Sequence, residues 1–98
     1  ILSMDKIYVC CGSTGEYSDH IEWYVRAFAD ESVGRDFVEK CSARYREIKA
    51  EYGDNSWEIP ENANEFDPGM QTDYTGTNYY LVEVPFDPYP YALIPVVG

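Results

Sequence analysis

The sequence predicts a small α+β domain of element order β-β-α-β, and three features carry that prediction. Two short segments of β character open the chain, a long amphipathic stretch with a cap signal at each end follows, and a third β segment comes after a loop. Lys6–Cys11 reads as the first strand, with Ile7, Val9 and Cys11 on one face and Tyr8 and Cys10 on the other. The turn-forming run Ser13–Asp19 separates it from a second strand over His20–Ala29, in which Ile21, Trp23, Val25 and Ala27 alternate with Glu22, Tyr24, Arg26 and Phe28. Asp30 is a good N-cap, and Glu31 adds negative charge to the first helical turn. Val33, Phe37, Cys41, Ile48 and Tyr52 then form one apolar stripe, and Gly53 stands where a helix-ending glycine belongs. Gly34 is the weak point of this helix, at a cost of about 1 kcal/mol against alanine. Residues 53–76 show no periodicity but contain Trp57, Ile59, Phe66 and Met70, so a packed loop is expected. Thr77–Pro85 reads as the third strand.

These elements make a three-stranded antiparallel sheet with the long helix on one face. The first strand is placed in the middle and the third on the side away from the second. One domain over residues 4–85, with Met4 read as the natural start, is followed by an extended Pro-rich tail over 86–98.

Charge narrows the class of partner. The net charge is −11, and it is unevenly spread. Residues 1–49 hold all seven cations, whereas residues 50–98 hold nine acids and neither Lys nor Arg. Nucleic acid and anionic membrane are bound by displacing counterions with Lys and Arg, so direct contact with either is disfavoured and a basic protein surface is favoured. No apolar run approaches the ~18 residues of a membrane span. Three cysteines, with Cys10 and Cys11 adjacent and no CxxC, fit neither a disulfide framework nor a zinc site; they suit a reducing cytoplasm.

Two stretches are distinctive. The first is Thr14-Gly15-Glu16-Tyr17-Ser18-Asp19 followed by Trp23 and Ala27–Glu31; the second is Asp67–Thr77, DPGMQTDYTGT. Together they resemble a group of small phage- and prophage-encoded proteins to which no activity is assigned. The resemblance covers residues 6–84. It implies a setting inside the bacterial host cell. Small acidic phage proteins often inhibit or modulate a host defence or regulatory complex, an anti-CRISPR-like role, and carboxylates at phosphate-like intervals along the acidic loop would make this one a DNA mimic.

Three surfaces are candidates for function. The acidic loop, with Trp57 and Phe66 among Glu58, Glu61, Glu65 and Asp67, combines aromatic anchors with steering charge, as a protein interface does. Its bland counterpart is a solvated loop. The TGEYSD loop offers Glu16, Tyr17 and Asp19 for recognition, against the simpler role of turn formers. The helix-free sheet face is expected to show Tyr8, Tyr24, Phe28, Tyr79 and Leu81. Either the tail, with Tyr89, Tyr91, Leu93 and Ile94, folds over this face or a second copy covers it; the second copy is favoured, as a self-assembling homodimer with Tyr8, Tyr24, Tyr79 and Leu93 at the contact. No cofactor or metal site is expected, since Asp67 and Asp73 lack calcium-loop spacing. No catalytic residue is expected either: His20 is the single histidine, and nothing supplies a third partner for a Cys10–His20 pair.

Overall fold

A computed structural model describes residues 5–86, so Leu93 and the tail it stands in lie outside the described residues. Strand β1 spans Asp5–Thr14, β2 spans Ile21–Phe28, helix α1 spans Glu31–Tyr52 and β3 spans Thr77–Phe86. A single 3₁₀ turn at Ser56–Glu58 interrupts the long loop. The sheet order is β2-β1-β3, antiparallel throughout, with β1 central as expected.

The helix forms where its caps place it. Asp30, in extended conformation, accepts from the backbone N–H groups of Ser32 and Val33, and the Gly53 N–H closes onto the Lys49 carbonyl at a φ of 60°. Its inner face differs from the expected stripe at the start. Val33 is exposed, and the buried line begins one residue later at Gly34, continuing through Cys41 and Ile48 with Phe37, Val38 and Tyr45 half-buried beside it. Gly34 is there because the helix touches the sheet at that point: a methyl group on it would lie 2.9 Å from a Leu81 methyl and 3.4 Å from Tyr8 Cβ. The helical cost of glycine is offset by this close approach.

The two faces of the sheet are assigned in reverse for β1 and β3. Tyr8, Cys10, Gly12, Tyr79 and Leu81 lie under α1, and Ile7, Val9, Cys11, Tyr80, Val82 and Val84 form the helix-free face. The expectation that Tyr8 and Tyr79 are displayed for self-association is therefore corrected; Tyr79 is buried in the core. Both parities of these strands are apolar, so alternation alone could not choose between them. Strand β2 adds a second complication. The register slips between Cys10 and Cys11, so Phe28 pairs with Tyr8 while Trp23 pairs with Gly12 and Tyr24 with Cys11. Phe28 thereby reaches the helix side and packs on Phe37 at 5.1 Å between ring centroids. Of the three self-association residues within the described part, Tyr8, Tyr24 and Tyr79, Tyr24 alone stands open on the helix-free face.

The Trp23 indole lies against Gly12. A methyl group at Gly12 would sit 2.5 Å from two carbons of the indole. We predict that Gly12→Ala destabilises the domain by about 2 kcal/mol, read as a lowered urea midpoint with an unchanged slope.

Candidate functional site

The loop between α1 and β3 is built around two side chains. Asn64 is fully buried: its carbonyl oxygen accepts from the N–H groups of Phe66 (3.0 Å) and Asp67 (3.3 Å), and its amide donates to the Cys41 carbonyl (3.3 Å). The loop is thus clipped to the middle of α1. Asp67 follows at the turn it makes with Met70, whose N–H donates to the Asp67 carbonyl at 3.0 Å. Asp67 is 3% exposed, and one carboxylate oxygen accepts from both Trp23 Nε1 (2.9 Å) and the Tyr79 hydroxyl (2.7 Å).

Asp67 is consequently removed from the set of partner-binding acids. It joins β2, β3 and the loop inside the core, where a carboxylate is retained only with donors directed at it. Phe66 is corrected likewise. It is half-buried, packs against the core cluster and meets Phe37 edge-on at 6.3 Å.

The remaining acids of the loop stand in solvent. Glu58, Glu61 and Glu65 are exposed, and Trp57 beside them is 77% exposed. Glu65 lies 3.9 Å from the Arg44 guanidinium, whereas Glu58 and Glu61 have no ion pair among the described residues. An exposed indole next in sequence to the unpaired Glu58 offers a cationic group or a flat apolar one a face to stack on.

The two distinctive sequence stretches meet at one end of the sheet. The Thr14 hydroxyl donates to the Gly76 carbonyl at 2.8 Å, and Trp23 reaches Asp67. Asp19 accepts from the Tyr17 N–H (3.3 Å), and this bond, with a further one shared with the Asp73 side chain, holds its carboxyl below the usual range. Glu16, Tyr17 and Asp19 are all exposed at this end, Tyr17 by 80%. His20 is occupied locally, its Nδ1 lying 3.0 Å from the Gly15 carbonyl.

Sequence reasoning missed Asn64 and the inward turn of Asp67. The signal for both was the Asn64-x-x-Asp67 spacing followed by Pro68-Gly69, which marks a side-chain-capped turn.

The cysteines are free and buried. A bond shared with Cys41, together with burial, pushes the Cys10 thiol up, away from the thiolate a nucleophile needs. Among the described residues no group of three or more His, Cys, Asp or Glu side chains is placed to hold a metal ion. Within the same residues no helix is long and apolar enough to cross a membrane. Comparison with protein-family models, curated proteins and solved structures finds no match to this chain.

Two predictions concern the Asp67 centre. Asp67→Ala strands two buried donors and should cost about 3 kcal/mol; Asp67→Asn keeps an acceptor and should cost less, both read by urea denaturation. Tyr79 also gives the fold an alkaline limit. Burial and the bond to Asp67 push its phenol well above the ordinary value near 10, while the unfolded chain ionises at that value. A group raised on folding contributes stability that is complete below its unfolded pKa and is lost as pH climbs beyond it. Tyr80, pushed up to about 12 by its bond to the Glu22 carboxylate, acts in the same sense. The urea midpoint should fall progressively above pH ~10, and less steeply in Tyr79→Phe.

Proposed function

We propose that this chain is a phage-type accessory protein that works by binding, and that it inhibits or modulates a bacterial defence or regulatory complex by engaging a basic surface on it. The observation that supports this reading most directly is the exposure of Trp57 among Glu58, Glu61 and Glu65, on a loop whose backbone is fixed to the core by Asn64 and Asp67. Trp57 stays in water although the same loop packs Phe66, half-buried, against the core cluster.

Binding costs less entropy where the chain is already held, as it is at Asn64 and Asp67 on either side of Glu65. The carboxylates contribute mostly by steering the encounter, and Trp57 by its contact area. Glu16, Tyr17 and Asp19, at the end of the sheet where the two distinctive stretches meet, extend the same acidic and aromatic character. The phage setting rests on those stretches, and a place in the bacterial cytoplasm follows from it.

The test is capture of partners from bacterial lysate at low and high salt, beside two variants that leave Asp67 intact. One carries Glu58, Glu61 and Glu65 changed to glutamine; the other is Trp57→Ala. A stoichiometric partner should bind the parent at low salt, weaken about tenfold or more at high salt, and be lost from both variants. Equal capture by parent and variants would refute the assignment of this surface.

A further inference from the structure

Strand β3 forms one edge of the sheet, with β1 as its only strand partner among the described residues. Among the described residues nothing guards that edge. From Thr77 to Val82 it carries no charged side chain, and Glu83, its single charge, lies 3.5 Å from Lys6. The opposite edge, β2, carries Glu22 and Arg26. In a domain with so many charges, a long neutral edge of β-forming residues is an exception, because edges are ordinarily blocked by charge or by a bulge. Pro85 comes only near the end of the strand.

The edge opens into a groove of about 390 Å³ between α1 and β3, lined by Arg35, Val38, Glu39, Tyr80 and Leu81. Arg35 and Glu39 are one helical turn apart and opposite in sign. A two-fold axis perpendicular to the sheet reverses the direction of both α1 and β3. If the axis passes beside Leu81, β3 runs antiparallel to its copy with Leu81 at the centre, and Arg35 of each chain faces Glu39 of the other. We propose that a second copy of this chain occupies this edge, giving a continuous six-stranded sheet with the two helices side by side beneath it.

Charge selects the occupant. A basic partner gains nothing at a neutral strand flanked by Arg35, whereas a copy brings neutral edge to neutral edge and a matched pair to each end of the groove. The present partners of Arg35 and Glu39 are Glu31 and Arg46, in pairs between exposed side chains that exchange at little cost. This pairing is independent of the acidic loop, whose residues lie outside it.

The experiment is sedimentation velocity on the full chain over a wide range of concentration, with Arg35→Glu, Glu39→Arg, an equimolar mixture of these two, and Tyr24→Asp. The parent should be a dimer. Each charge variant sets like charges against each other across the axis, and should self-associate at least about tenfold more weakly. The mixture should recover the dimer, because the substituted position of one variant then faces the substituted position of the other with opposite charges restored. Both substituted positions are exposed on the helix, and far-ultraviolet circular dichroism confirms that the fold is kept. Tyr24→Asp should leave the dimer intact. A monomeric parent, charge variants that dimerise as the parent does, a mixture that stays monomeric, or a dimer dissolved by Tyr24→Asp would each overturn the proposal; the last would assign the interface to the helix-free face of the sheet.

Discussion

A single buried carboxylate decides how the rest of the chain is arranged. Asp67 takes the Trp23 indole N–H and the Tyr79 hydroxyl on one oxygen, and those two donors come from opposite edge strands. A charged group inside a core is tolerated only when its hydrogen bonds are made, so the strands must present these faces inward and no others. Once Tyr79 points to the helix, Leu81 does as well, and Gly34 has to be small to admit it. Once Trp23 points inward, Gly12 has to be small beneath it. Two of the glycines are thus consequences of one acid.

The same centre explains which parts of the fold were legible in the sequence. The helix was readable because its signals are local: Asp30 and Gly53 sit at its ends and need nothing distant to act. The strand order was readable from one short connection, residues 15–20, which pairs β2 with β1 and leaves the other side of β1 for β3. The sheet faces were not. Ile7 and Val9 look as suited to a core as Tyr8 and Cys10, and the choice was made by a carboxylate far along the chain. The register slip at Cys10 and Cys11 hid Phe28 for a similar reason, since a bulge leaves no mark in hydrophobic alternation.

The candidate surface was legible in part. Glu58, Glu61, Glu65 and Trp57 are exposed as their composition suggests, and Glu16, Tyr17 and Asp19 likewise. Phe66 and Asp67, adjacent in sequence to those acids, turn the other way. The difference lies in Asn64, whose side chain takes two successive backbone donors and so rotates the following residues into the core. An acidic, aromatic loop is in this way divided into an anchored half and a displayed half.

The buried thiols lead to a different kind of consequence. Cys10 and Cys41 face each other across the junction of sheet and helix, and Cys11, one residue on, lies on the opposite side of the same sheet. All three are shielded, so a thiol reagent can reach them only when the surrounding layer parts. Cys10 and Cys41 are shielded where the helix packs on the sheet, whereas Cys11 lies between its cross-strand neighbours Tyr24 and Tyr80. Alkylation of Cys41 times the lifting of the helix, whereas alkylation of Cys11 times the parting of its strand neighbours. The molecule therefore carries, in its own sequence, two clocks on two separate opening motions, and their ratio measures whether the domain breathes as one body or as a sheet and a helix in turn.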